Sequence, residues 1–396
     1  MRIGLDLRWL QQAYKNSPAG GLGGIGTVCR GLWLGLARAF PETELVALVS
    51  RATVPQPLLN LIRAAPRHEI QPFGLSGLLP FLDGKGRYTL ILRLLETELW
   101  PAAWLDKLKL DALHLLDHTP PPRWATFPTI VTVHDLIGLK KNTLFYKHFL
   151  NLERANQLVP VSRSTQADLA LLFPQRAGRL PVIYSGIDTD MFKRPKHTVN
   201  HLRKRFSIDG DYFMHVGVLT DRKNPIGLIK AMRRVVELRQ EKIMLLCVGP
   251  YQVNPSARES VLELAREYGI QNHVLMLGDV GAEELSSLYY HALGLVFPSF
   301  AEGFGLPALE CLACGTPCVV SQTTSLPEVV GDWGILVDPH SDEEIADGML
   351  RLLNDEPYRA KIREQGPAWA QRFSFEAMAQ KYMEIYQGLA LRSHDE

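Results

Sequence analysis

The sequence predicts an α/β protein made of two doubly wound parallel sheets. Three observations lead there. The chain has 396 residues, about twice the usual domain size. Apolar runs of strand length alternate with amphipathic helical stretches in both halves. A polar stretch from Thr189 to Asp211, with Lys193-Arg-Pro-Lys-His inside it, separates the halves and reads as a hinge. With 46% hydrophobic and 21% charged residues, each half has enough apolar material for its own core.

The elements follow in order. Strands are expected at residues 3–7, 45–49, 112–116, 129–133, 157–161 and 182–184 in the first half. In the second half they are expected at 212–216, 243–248, 274–277, 294–297 and 318–320. In the tail, Phe375, Met378, Ala379, Tyr382, Ile385 and Tyr386 recur near helical spacing, which predicts a final amphipathic helix. The expected domains are 1–190 and 191–373, with the tail helix 374–391 beyond them. Loops that follow parallel strands open towards one sheet edge, where ligands bind in this architecture.

Charge is split between the halves. Residues 1–194 hold 23 Lys/Arg against 15 Asp/Glu, and residues 195–396 hold 20 against 27. The basic first half suits an anionic acceptor or a membrane surface, unless these are simply solvated faces. No nucleic-acid partner is expected. The opening Met1-Arg-Ile-Gly-Leu-Asp-Leu reads as a strand interrupted by charge, not as a secretory signal. No uncharged apolar run approaches bilayer-spanning length. The expected location is cytoplasmic, at most peripheral at the inner face of the membrane. Five cysteines, an odd number, give no disulfide framework. Cys311 and Cys314 fall on a short apolar helix and Cys318 opens a strand, so buried thiols are expected rather than a metal site.

The most informative stretch runs from Pro298 to Gly315 and contains Glu302-Gly-Phe-Gly-Leu-Pro-Ala-Leu-Glu310. It follows the strand at 294–297. Pro307 suits a helix start and Gly315 the residue just past a helix end. Gly303 and Gly305 let backbone amides approach a ligand closely. Strand, glycine turn and helix N-terminus together favour a phosphate-type anion. Two carboxylates at that mouth are suited to sugar hydroxyls, so sugar plus diphosphate points to a nucleotide sugar.

This segment resembles the Glu-x7-Glu motif of the retaining glycosyltransferases of family 4. Gly315-Thr-Pro and Ser325-Leu-Pro-Glu328 extend the likeness, and weaker similarity covers nearly the whole chain. The resemblance implies a GT-B fold, in which two Rossmann-like domains face each other across a cleft and the last helix returns to the N-terminal domain. It implies an acceptor-binding first domain and a nucleotide-sugar-binding second domain. It assigns Glu302 to donor-sugar hydroxyls, Glu310 to the ribose diol, and the backbone around Gly303, Phe304, Gly305 and Leu306 to the phosphates. Base contacts are expected near Val280, in the stretch 278–284.

Four more constellations carry chemistry. Arg222 and Lys223 follow the strand at 212–216, where adjacent cations can neutralise a diphosphate leaving group. They resemble the family's phosphate-binding pair. Gly20-Gly-Leu-Gly23-Gly24-Ile-Gly26, expected as a loop before a helix at 27–40, resembles the family's glycine loop over the donor phosphates or the acceptor. It lacks dinucleotide-fingerprint spacing. His134 and Asp135 end another strand. A neutral imidazole there can donate to a sugar hydroxyl with Asp135 orienting it, and the family carries a comparable His near the donor hexose. Asp117 and His118 end a further strand and, with Asp135, are expected to meet the acceptor, whereas His114 is read as structural.

Two patterns are set aside. Asp188-Thr-Asp190 spells a metal motif but sits in the hinge stretch. His114 and His118 have zinc-ligand spacing, but on a strand they would lie about 13 Å apart. No metal cofactor is expected.

The implied reaction is sugar transfer with retention, by front-face attack, since no residue presents itself as a covalent nucleophile. Arg222, Lys223 and loop amides stabilise the departing phosphate. Bacterial polysaccharide mannosyltransferases are the most similar in look, which favours GDP-mannose as donor and a glycan or lipid-linked acceptor. The rivals are a UDP-sugar donor with a small-molecule acceptor, a same-fold epimerase, a hydrolase using the two glutamates, and a non-catalytic nucleotide-sugar-binding subunit. Finally, residues 73–104 interleave apolar groups with Lys85, Arg87 and Arg93, which suits a membrane-facing patch, a partner contact or a buried helix face.

Overall fold

The computed structural model describes residues 1–16, 22–50, 53–73, 106–141, 143–193, 195–239 and 241–395. The chain packs as two units. One runs to Gly186 and regains the terminal helix from Phe375; the other runs from Ile187 to Ser374.

The first unit holds β1 (Arg2–Asp6), β2 (Glu44–Val49), β3 (His68–Pro72), β4 (Ala112–Leu115), β5 (Thr129–Val133) and β6 (Gln157–Pro160). They pair in parallel in the order β3-β2-β1-β4-β5-β6. The inner strands are buried on both faces and therefore read as continuous apolar runs. β3 is a half-exposed edge strand of sequence His-Glu-Ile-Gln-Pro, so no apolar run announces it. Residues 182–184 are a correction. They form no strand, and Ile183 makes a single backbone bond to Pro160 O at 3.1 Å. Pro160 and Pro181 both lack an N–H, so the neighbouring rungs of a parallel ladder are missing.

The terminal helix Phe375–Asp395 packs against the helix Gly23–Ala39. Gly31 and Gly35 permit this approach, because a Cβ at Gly31 would lie 2.1 Å from the Phe375 ring and one at Gly35 2.4 Å from the Phe375 carbonyl. A buried polar chain ties the same helix to the sheet. His114 Nδ1 lies 2.7 Å from Tyr386 Oη, His114 Nε2 2.7 Å from Thr132 Oγ1, and Thr132 Oγ1 2.7 Å from Tyr382 Oη. Each polar atom in it has a partner, as burial demands. Phe73, the first residue of the expected membrane-facing stretch, lies in this unit's core instead, and residues 74–105 lie outside the described residues.

The second unit holds β7 (Asp211–Val216), β8 (Ile243–Val248), β9 (Val274–Gly278), β10 (Gly294–Phe297), β11 (Cys318–Ser321) and β12 (Ile335–Val337). The order is β12-β11-β10-β7-β8-β9, again parallel. Chain direction across the sheet reverses between β7 and β10, which makes the crevice above them the switch point of the sheet. The stretch 189–211 is no bare linker. It carries the helices Thr189–Phe192 and Val199–Phe206, capped by Asp188 and Thr198. Ser286 and Ser287 on the helix Ala282–His291 hold it through Met191 O and the backbone amides of Lys196 and His197. All five cysteines are buried free thiols.

Candidate active site

Two loops meet at the switch point of the second unit. After β7 the backbone turns at Gly217, with φ +134°, where a Cβ would lie 2.8 Å from Lys223 Cε. Glycine there leaves room for the lysine to fold back. Arg222 and Lys223 occupy the short turn Asp221–Lys223, and left-handed Asn224 caps the following helix by accepting from Gly227 N–H at 3.1 Å. After β10 the chain passes through Glu302 to Gly305, with φ +108°, and then enters the helix Leu306–Ala313. A Cβ on Gly305 would also strike Leu326 Cδ2 at 2.5 Å, so both conformation and packing require glycine.

The acid and both cations form one cluster. Glu302 Oε2 lies 2.8 Å from Arg222 Nη1, and Oε1 lies 3.0 Å from Lys223 Nζ. Lys223 Nζ also stands 4.2 Å from the centroid of the Phe297 ring. Burial would push the Glu302 carboxyl up, but Lys223 and Arg222 hold it below the ordinary value, so it is ionised. Burial, helped by Arg222 and opposed by Glu302, lowers Lys223. Two fixed cations and one anion leave a net positive charge beside the N-terminus of the helix Leu306–Ala313, which has no side-chain cap. Such a surface suits a diphosphate.

The loop is fixed from behind by Ser325, whose buried hydroxyl serves Glu302 O at 2.9 Å and Phe304 O at 2.7 Å. Thr324 Oγ1 accepts from Glu302 N–H at 3.0 Å. These contacts give the Ser325-Leu-Pro-Glu328 motif its structural purpose. Gly303 and Phe304 are buried in this loop. Glu310 sits in the second turn of the helix and accepts from Tyr289 Oη at 3.1 Å. Burial raises its carboxyl to about 7, with the Tyr289 hydrogen bond acting against that rise. Val280 lies partly exposed between β9 and the helix Ala282–His291.

The first unit has its own switch point, between β1 and β4. Buried Asp117 follows β4, where its Oδ1 accepts from Thr119 N–H at 3.0 Å. His118 Nε2 accepts from the backbone N–H of His134 at 3.0 Å and of Asp135 at 3.4 Å, so it carries no proton. The role expected for His134 is corrected. Its Nε2 lies 2.8 Å from Leu116 O, and a carbonyl only accepts, so the single proton of the neutral ring is already committed. Burial and His118 lower this imidazole to about 4, which keeps it neutral. Nδ1 is left to accept from a hydroxyl rather than donate to one. Asp135 Oδ1 accepts from Ile137 N–H at 3.1 Å.

The glycine segment also differs from expectation. Gly23, with φ +65°, and Gly24 open the helix Gly23–Ala39 and are exposed, while Gly26 lies inside it. The preceding helix Arg8–Asn16 has no counterpart in the sequence reading. Asp188 serves as a helix cap and Asp190 pairs with Lys193 at 2.7 Å. Among the described residues, no group of three or more His, Cys, Asp or Glu is arranged to hold a metal. Sequence reasoning missed Tyr289 and Thr324, which look like an ordinary core aromatic and an ordinary turn residue.

Comparison with known proteins agrees with this architecture. The family described as Glycosyltransferase Family 4 matches residues 22–191, and that described as Glycosyl transferases group 1 matches residues 200–369. The chain belongs to the family 4 glycosyltransferases and has the GT-B fold. It is 31% identical over 237 residues to O-antigen chain mannosyltransferase B of Escherichia coli, across 60% of this chain and 61% of that one. It is 28% identical over 281 residues to the serotype-specific mannosyltransferase WbdA of Escherichia coli, across 67% of this chain but 34% of the longer relative. The crystal structure of Anabaena Alr3699/HepE with UDP and glucose superposes at TM-score 0.73 with 20% identity, over 98% of this chain and all of that one. Among the described residues no helix is long and apolar enough to cross a membrane.

Proposed function

We propose that the protein is a retaining hexosyltransferase that takes its sugar from a nucleoside diphosphate donor, with GDP-mannose favoured, and passes it to a glycan or lipid-linked acceptor. The observation that carries this reading is the Arg222–Glu302–Lys223 cluster beside an uncapped helix N-terminus at a switch point. Negative charge grows on the β-phosphate as the glycosidic bond breaks. Arg222, Lys223 and the amides around Gly303–Leu306 meet it with charge already in place, so little reorganisation is needed during reaction. Glu302, ionised and held at both oxygens, has lone pairs left for donor-sugar hydroxyls. Glu310 takes the ribose diol and Val280 lies where the base is expected. His134 accepts from a sugar hydroxyl, Gly23 and Gly24 serve the donor phosphates or the acceptor, and Asp117, His118 and Asp135 serve the acceptor.

Mannose is favoured because two relatives are named mannosyltransferases. A UDP-sugar is the second donor reading, since the Anabaena structural neighbour was crystallised with UDP and glucose. In this scheme cationic side chains take the charge-neutralising role, so transfer is independent of divalent metal. Incubation of the protein with GDP-mannose and an oligomannose acceptor in EDTA tests the scheme. Transfer should persist in EDTA. Glu302→Gln should lower turnover about ten- to a hundredfold, as expected for a hydrogen bond to a charged group, with nucleotide affinity changed much less. Complete loss in EDTA with recovery on manganese would contradict the metal-free scheme, and change of the donor without acceptor would favour an epimerase.

A further inference from the structure

Tyr289 is a fully buried residue that the proposed chemistry leaves without a role. Its ring stands edge-on to Phe192, with centroids 6.2 Å apart. Its backbone is fixed as well, because the Thr316 hydroxyl donates to Tyr289 O at 2.8 Å. Ring and backbone are therefore both held, and the hydroxyl is delivered to Glu310 Oε2 at 3.1 Å. We infer that Tyr289 is a positioning residue for the nucleotide: it fixes the rotamer of Glu310 and occupies one carboxylate oxygen, so that the other is presented to the ribose diol. This rests on the reading that Glu310 contacts the ribose.

The chemistry around Glu310 gives the arrangement a measurable signature. Its titratable neighbours are Tyr289, the thiols of Cys311 and Cys314 on its own helix, and Cys318 on β11 beside Cys311. Burial raises all three thiols, so they stay neutral. On the other packed helices, exposed Asp190 turns to Lys193 and exposed Arg363 turns to Glu356, and their further titratable groups include Glu328, Glu364, Glu283, Glu284 and His291. Burial sets Glu310 near 7, and the hydrogen bond from Tyr289 favours its ionised form. Removing that hydroxyl raises the folded pKa further. Binding that needs the carboxylate then fails at a higher pH.

The experiment is calorimetric titration of GDP and of UDP between pH 5.5 and 8.5, carried out on the full chain. Tyr289→Phe keeps the ring against Phe192 and removes only the hydroxyl. It should weaken the tighter nucleotide about five- to tenfold at pH 7 and move the acid limb of binding up by roughly one pH unit. Glu310→Gln should weaken binding and abolish the limb. The double variant should be no worse than Glu310→Gln alone, because Tyr289 acts through the acid. If Glu310→Gln weakens binding while Tyr289→Phe overlays the wild type at every pH, the positioning role is overturned and the site reading stands. Additive losses in the double variant also overturn it. If Glu310→Gln binds like the wild type, the ribose contact itself is wrong.

Discussion

Glu310 shows how a single side chain records the cost of a binding site. Glu310 is half-buried with one side-chain hydrogen bond, and desolvation brings its folded pKa near 7 against an ordinary value of 4.5. A raised acid favours the folded state below about pH 4.5. That contribution is lost as pH rises through 7, so the ligand-free protein carries the full penalty at pH 8. Glu310→Gln should therefore melt a few degrees higher than the wild type at pH 8 and at a similar temperature at pH 5. A difference that ignores pH in scanning calorimetry would contradict the assignment. Glu302, Arg222 and Lys223 were legible because each follows an apolar strand and sits in a distinctive string. The proton position on His134 was not, because it depends on Leu116 O, a backbone atom that the sequence does not place.

Among elements, the loop Pro298–Gly305 owes its shape to a hydroxyl more than twenty residues downstream. Ser325→Ala removes the donor shared by the Glu302 and Phe304 carbonyls. It should cost about 1–3 kcal/mol in chemical denaturation and weaken nucleotide binding too, because the loop amides lose their support. Unchanged affinity with lowered stability would mean that the loop is held by other contacts. The inner strands were legible because burial on both faces demands unbroken apolar runs. β3 and β12 were not: one is a half-exposed edge strand and the other has three residues, with Leu336 exposed. Residues 182–184 show the converse failure, since an apolar run has no ladder to join beside Pro160. The glycine segment was read as a loop because Gly23, Gly24 and Gly26 disfavour a helix, yet the helix Gly23–Ala39 starts there.

Across the whole molecule, the buried imidazoles His114, His134 and His215 contribute to its response to acid. Burial is the leading cause in each case, lowering His114 to about 3 and His134 and His215 to about 4. The unfolded chain binds these protons from about pH 6.5, so their stabilising contribution is complete above that pH and declines as pH falls towards 4. Thermal unfolding followed by circular dichroism should show a melting temperature that falls from pH 6.5 to pH 4.5. A flat profile would mean that the imidazoles are hydrated and free to charge. The two-sheet architecture was legible from the alternation of strands and helices, whereas the exact crossings at Gly186 and Ser374 were hidden because the polar stretch 189–211 folds onto the second unit. The central claim is that this second unit carries a diphosphate site built from Arg222, Lys223 and the amides that open the helix Leu306–Ala313. The most direct measurement is calorimetry in EDTA, comparing GDP with GMP and UDP with UMP, on the wild type and on Lys223→Met. One diphosphate should bind about tenfold or more tighter than its monophosphate, as expected for an added charge-assisted contact, and Lys223→Met should erase most of that gap. Diphosphates that bind no tighter than monophosphates, or that bind only when a divalent metal is restored, would contradict the claim.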